Sequence, residues 1–80
     1  MDEMLELKVL ELLLEAGEMT AVQLMDEFRK RENWSDITTL SVIRSCLMTD
    51  LIKRTSRFTC RPLMNLDEAK VLLALEKKYN

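Results

Sequence analysis

The near absence of glycine and proline is the feature that most restricts which folds this sequence can adopt. The sequence contains one glycine, Gly17, and one proline, Pro62. A sheet of many strands needs glycine, proline or asparagine at its tight turns, so their scarcity disfavours an all-β fold. Apolar residues recur at helical spacing ahead of Gly17, which is placed to end a helix over residues 2–16 in the left-handed conformation. The chain is therefore predicted to be mainly α.

Capping signals predict where the second and third helices begin. Thr20 and Gln23 form a capping box, and the helix that it opens is predicted to end in the basic run 29–31. Ser35 caps a third helix, predicted over residues 36–49. The apolar stripe of this helix that is predicted to face the core consists of Val42, Ile43, Cys46 and Leu47.

Beyond the third helix the hydrophobic period shortens to two, which is typical of strands. Residues 51–54 and 57–61 are predicted to be the two strands of a hairpin, joined by a turn at residues 55–56. Alternation along the second strand places Phe58 and Cys60 on the same face of this hairpin. The sequence therefore predicts a small β element after three helices.

A last helix follows the hairpin. Asn65 and Glu68 repeat the capping pattern, and the apolar positions after them continue to about Tyr79. The predicted order α-α-α-β-β-α is that of a winged helix-turn-helix, in which the third helix can enter a major groove and the hairpin is the wing. We expect a winged-helix domain over residues 1–64 and a C-terminal helix over residues 65–80 that is a candidate dimerisation element.

Length and composition limit the class of protein further. Eighty residues make one domain, and a hydrophobic content of 48% is too high for a disordered chain. The longest aliphatic run, residues 12–14, is too short to cross a membrane. Asp2, Glu3 and Glu6 stand where a signal peptide carries basic residues, so we expect a cytoplasmic protein.

Histidine, the side chain most used for acid–base and metal chemistry at neutral pH, is absent from the sequence. The two cysteines, Cys46 and Cys60, lack the spacing of a zinc site or of a disulfide framework. They are predicted to be reduced thiols in or near the core, where free cysteine packs like a small apolar residue. With no phosphate-binding loop either, we expect no metal, no cofactor and no enzymatic activity.

Charge is distributed unevenly along the chain, although the net charge is only −2. Residues 1–28 contain eight acidic side chains and one basic side chain, a net of −7. Residues 29–61 contain eight basic and three acidic side chains, a net of +5. Residues 62–80 are neutral, with three of each. The positive segment coincides with the third helix and the wing, which favours a nucleic-acid partner for that part of the surface.

Side chains of the third helix that avoid the core stripe would contact bases and phosphates in the major groove, and wing arginines would contact the DNA backbone. The candidate DNA contacts are Ser35, Thr38, Thr39, Ser41, Arg44 and Ser45 at the helix, and Arg54 and Arg57 on the wing. Ile37 and Leu40 are apolar among these polar positions. They would touch thymine methyl groups, bind another protein, or be buried if the helix is rotated.

Several segments of the chain resemble the penicillinase-repressor family. They are residues 9–21 (VLELLLEAGEMTA), residues 24–28 (LMDEF), residues 33–35 (NWS) with Thr38 after them, and residues 61–63 (RPL) at the end of the wing. The resemblance extends over about residues 7–64. It implies a dimeric bacterial transcriptional repressor that binds double-stranded operator DNA through a winged helix.

Two functions from different classes remain open at this point. In the first, the protein is a DNA-binding repressor and a homodimer held by apolar side chains of the last helix. The candidate dimer contacts are Leu66, Val71, Leu72, Leu73 and Leu75. In the second, the winged helix is a protein-interaction module that binds a protein partner through the surface around Ile37 and Leu40 and does not bind DNA.

Overall fold

Four helices and three short strands make up the computed structural model, which describes residues 4–79. In chain order the elements are α1 (Leu5–Ala16), β1 (Met19–Thr20), α2 (Ala21–Glu32), α3 (Asp36–Met48), β2 (Ile52–Ser56), β3 (Thr59–Pro62) and α4 (Leu66–Tyr79). The fold is mainly α with a small antiparallel sheet in a winged-helix arrangement, which confirms the predicted class. Residues 2 and 3 of the predicted first helix lie outside the described residues, and α1 begins at Leu5 after an extended Met4.

Local signals position the helix ends. Gly17 adopts φ 90°, and its N–H donates to the carbonyl of Leu13 at 2.7 Å, which ends α1 as predicted. The capping box of α2 is present, with the N–H of Gln23 donating to Thr20 Oγ1 at 3.1 Å and the N–H of Thr20 donating to Gln23 Oε1 at 2.9 Å. α2 continues beyond its predicted end to Glu32, because Asn33 supplies the left-handed residue, at φ 58°, that closes it.

The sheet has three strands rather than the predicted two, in the order β1-β3-β2. β1 pairs with β3 through Met19 opposite Cys60 and Thr20 opposite Thr59. Two residues give no alternation to recognise, so this strand has no signature of its own in the sequence. It ties the start of α2 to the wing, and the N–H of Ala21 donates to the carbonyl of Phe58 at 2.8 Å.

The predicted turn of the wing is two residues too early. β2 continues to Ser56, which pairs with Thr59, so Arg57 and Phe58 form the turn. The register shifts between Arg54 and Ser56, where one extra residue makes a bulge. Phe58 therefore lies in the turn rather than in the predicted strand, and it is 63% exposed.

The core lies between α1, α2 and α3 and is closed by β2 and α4. Its fully buried side chains include Leu10, Leu13, Leu24, Leu51 and Ile52. Both cysteines are buried free thiols, as predicted. At the edge of this core the rings of Phe28 and Trp34 stack at 4.6 Å, which fixes the entry of α3. Within residues 4–79, no helix is both long and apolar enough to cross a membrane.

Candidate nucleic-acid interface

The outer face of α3 is exposed along its whole length. Its side chains follow one another at helical spacing and are Ile37, Leu40, Ser41, Arg44 and Met48. The first four line a shallow groove of about 260 Å³. Met48, 76% exposed, was not predicted as part of this face, although it lies one turn beyond Arg44 and could have been found from that spacing. The first half of this face is apolar, and its second half contains one cation, Arg44, followed by the apolar Met48.

Two of the predicted DNA contacts on α3 point away from that face. Thr39 is fully buried, and its hydroxyl donates to the carbonyl of Ser35 at 3.3 Å. Ser45 is half-buried and donates from its hydroxyl to Glu6 Oε2 on α1 at 2.7 Å. The prediction for Thr39 is wrong because the core stripe is wider than the four apolar residues indicated. Position 39 continues that stripe one turn earlier, three residues before Val42. Ser45 lies at the border of the core, and its role as a DNA contact stays a prediction.

The polar residues at the start of α3 are engaged with each other. Ser35 is the N-cap, as predicted, and its hydroxyl accepts from the N–H of Thr38 at 3.1 Å. The same hydroxyl donates to Thr38 Oγ1 at 3.0 Å. Thr38 itself is half-buried. These hydroxyls hold the first turn of α3. Besides the exposed cap Ser35, the exposed polar side chains among the predicted helix contacts are Ser41 and Arg44.

Asp36 is neutralised by a cation from α2. Arg29 Nη2 donates to Asp36 Oδ1 at 2.6 Å, while Nη1 of the same guanidinium lies 3.4 Å from Asp26. The hydrogen bond to Asp36 is the main reason that the pKa of Arg29 is raised. Lys30 pairs with Asp26, and Arg31 pairs with Glu27. All three basic residues at the end of α2 therefore form ion pairs with carboxylates on α2 or α3.

Arginines of the wing and of α3 meet at one groove. Arg54 lies directly opposite Cys60 in the sheet and therefore on its buried face, toward α3. Together with Arg44 and the turn residue Arg57 it lines a groove of about 310 Å³ between α3 and the wing. The rest of this groove is apolar and consists of Ala21, Leu40, Ile43, Leu47, Phe58 and Cys60. The structure thus brings together three of the predicted DNA contacts.

These cations differ from the others in their surroundings. Among residues 4–76, no carboxylate lies within the 4.0 Å of an ion pair from Arg44, Lys53, Arg54 or Arg57. On the opposite face of the sheet, Arg61 lies 4.0 Å from Glu18. We call Arg44, Arg54 and Arg57 the basic patch. Lys53 lies opposite Arg61 on the other face of the sheet and is not part of this patch. The charges of the basic patch are available to an anionic partner without first breaking a contact to a described carboxylate.

The predicted dimer residues do not share one surface. Leu73 is only 8% exposed and belongs to the core of its own chain, so its prediction as a dimer contact is wrong. Leu66 and Leu72 are partly buried against the same core. Val71 and Leu75 are 61% and 49% exposed and lie four residues apart, on one side of α4. An apolar pair therefore remains for a partner.

Among the described residues, no group of three or more histidine, cysteine, aspartate or glutamate side chains is placed to hold a metal ion. Comparison of the chain with protein-family models, with curated proteins and with solved structures finds no match.

Proposed function

We propose that this protein is a DNA-binding transcriptional regulator of the repressor type, without enzymatic activity, that acts in the cytoplasm. α3 would lie in the major groove and the wing would follow the phosphate backbone. The observation that carries the proposal is the basic patch, which borders the exposed face of α3 and has no carboxylate partner among the described residues. Phosphate neutralisation by such cations provides most of the affinity of proteins for duplex DNA.

Each part of the interface has a role in this proposal. Arg44 contacts a guanine edge or a phosphate from the middle of α3, and Ser41 contacts the base or phosphate beside it. Arg54 and Arg57 contact phosphates from the wing. The ion pair between Arg29 and Asp36 removes the repulsion that a free carboxylate at the start of α3 would have for the DNA backbone. The resemblance to penicillinase repressors supports the same docking.

We further propose a homodimer formed through Val71 and Leu75 on α4. A dimer with two-fold symmetry presents two copies of α3 to two half-sites of an operator, and both copies gain affinity from one binding event. The exposure of these two apolar side chains supports this arrangement.

Fluorescence anisotropy with a labelled duplex of mixed sequence, at low salt, tests DNA binding. We expect Arg44→Ala, Arg54→Ala and Arg57→Ala each to weaken binding several-fold, and the three together by tenfold or more, about 1.4 kcal/mol. Arg31→Ala is the matched control, since Arg31 is exposed on α2 and already paired with Glu27 at 3.0 Å. Absence of duplex binding, or an equal loss in Arg31→Ala, would contradict the proposal.

A protein-interaction module is the second candidate, and one observation favours it. Ile37, Leu40, Met48 and Phe58 are all exposed around the same face, which is the composition of a protein-binding surface. In this case Ile37→Ser with Leu40→Ser would abolish binding of the protein partner while the fold is retained. Duplex binding that depends on the basic patch would exclude this candidate as the main function.

A further inference from the structure

Two apolar side chains occupy the part of α3 that would meet the bases. Ile37 lies in the first turn and is 81% exposed, and Leu40 is 46% exposed one turn later. With Ser41 and Arg44 they line a groove formed by side chains of α3, and Leu40 also borders the groove between α3 and the wing. The alternative that α3 is rotated to bury them is therefore excluded, because Thr39, Val42 and Ile43 face the core instead.

Base edges differ in what they offer to an apolar side chain. In the major groove thymine presents a methyl group at C5, whereas guanine, adenine and cytosine present hydrogen-bond donors and acceptors. An isoleucine placed over those polar groups removes their water and returns no hydrogen bond, which costs free energy. Residues in the N-terminal half of a recognition helix are the ones that reach base edges. Ile37 and Leu40 occupy that position on α3.

We infer that Ile37 and Leu40 read thymine methyl groups, so that the preferred sites of this protein contain T·A pairs under the first turn of α3. The inference rests on the proposed function. Three residues of helix rise by about 4.5 Å, which compares with about 3.4 Å between base pairs, so the two side chains reach neighbouring pairs. Arg44 lies one turn further along α3, where it can donate hydrogen bonds to the two acceptors of a guanine in the major groove.

Replacement of thymine by deoxyuridine tests the inference, since it removes only the methyl group and keeps Watson–Crick pairing. A duplex is first selected by the wild-type protein from a pool of random sequence, and each thymine is then replaced in turn. We expect the affinity to fall about fourfold at one position or at a few neighbouring positions. This fold-change corresponds to the free energy of burying one methyl-sized group. Replacements elsewhere should have no effect.

Variants assign the effect to the two side chains. In Ile37→Ala with Leu40→Ala, thymine and deoxyuridine duplexes should bind equally, while the contribution of the basic patch persists. Leu14→Ala is the matched control, because it truncates an apolar side chain of similar exposure, 42%, on α1. It should retain full discrimination between the two bases.

The outcomes separate the inference from the proposed function. If the wild type binds the selected duplex and is indifferent to deoxyuridine at every position, the methyl inference is wrong and DNA binding stands. If the discrimination survives in the double alanine variant, other residues read the methyl groups and the inference is equally wrong. If no duplex is bound or selected, the proposed function and the inference fail together.

Discussion

Charged side chains of this protein fall into two groups according to their neighbours. On α2, Arg29, Lys30 and Arg31 each lie within 3.4 Å of a carboxylate. In the basic patch, Arg44 and Arg54 have no such neighbour among the described residues, and they line a shared groove instead. Sequence counting treats all of these residues alike as members of one positive segment. Only the folded structure shows which of these cations have no carboxylate neighbour and can therefore bind an anionic partner directly.

Buried polar residues were harder to predict than buried apolar ones. The sequence predicts Thr39 and Ser45 on the DNA-facing side of α3, yet Thr39 lies in the core and the half-buried Ser45 donates its hydroxyl hydrogen to Glu6. A threonine has a methyl group that packs and a hydroxyl that can bond to a carbonyl of the preceding turn, so burial costs it little. Its residue type alone gives no signal of which face it occupies.

The buried thiol of Cys46 makes the stability of the protein vary with pH in the alkaline range. Burial, with a contribution from Glu6, raises the pKa of Cys46 from its ordinary value of 9.0 to about 12. Above about pH 9 the unfolded chain therefore loses a proton that the native state retains. The contribution of Cys46 to the free energy of unfolding is complete below this pH and is lost as the pH rises toward 12, by up to about 1.4 kcal/mol per pH unit.

Urea unfolding of the wild type and of Cys46→Ala, from about pH 8 to about pH 10.5, measures this effect. The alanine variant lacks the thiol but shares every other group that titrates in this range. The stability difference between the two proteins should shrink as the pH rises. If the free energies of unfolding of the two proteins change in parallel with pH, Cys46 ionises as readily in the native state as in the unfolded chain, which contradicts the prediction.

Helix ends were predicted well because they depend on a few neighbouring residues. The capping boxes at Thr20 and Asn65 are present, and Gly17 ends α1 with a positive φ of 90°, although its ψ of −53° differs from the predicted left-handed conformation. The sheet was predicted less well, since β1 is too short to alternate and the bulge at Thr55 shifts the wing turn to Arg57. Strand ends depend on pairing with distant residues, and this pairing leaves no local pattern in the sequence.

The cap of α4 provides a test for a single element. The N–H of Glu68 donates to Asn65 Oδ1 at 2.8 Å, and the N–H of Asn65 donates to Glu68 Oε1 at 3.1 Å. We expect Asn65→Ala to lower the free energy of unfolding by about 1 kcal/mol, as measured by urea denaturation. Asn65→Asp keeps the accepting oxygen and should retain most of the stability. An equal loss in both variants would show that the cap does not stabilise α4.

The molecule as a whole separates its charges onto different elements. Exposed carboxylates are found on α1, among them Glu11 and Glu15, while the basic patch lies on α3 and the wing. The net charge of −2 hides this separation. A charge distribution of this kind orients a protein as it approaches a polyanion and raises the rate of productive encounter. The fold class could be predicted from the order of the elements, but the groove between α3 and the wing could not, because it depends on how the two elements pack.

Self-association is expected to depend on the apolar pair of α4. We predict that the wild type sediments as a dimer and that Val71→Glu with Leu75→Glu sediments as a monomer, because facing glutamates repel each other and resist desolvation. Both side chains are exposed, so the variant should remain folded. Leu14→Glu on α1 is the control and should leave the dimer intact. A monomeric wild type, or a dimeric double variant, would refute the dimer through α4.

The salt dependence of duplex binding most directly tests whether the basic patch binds DNA. The logarithm of the association constant should fall linearly with the logarithm of salt concentration, with about −0.9 of slope for each phosphate that a cation neutralises. Arg54→Ala with Arg57→Ala should make this slope shallower by up to about two, whereas Arg31→Ala should leave it unchanged. A slope that is the same in the wild type and in the wing variant would show that these arginines do not bind phosphate.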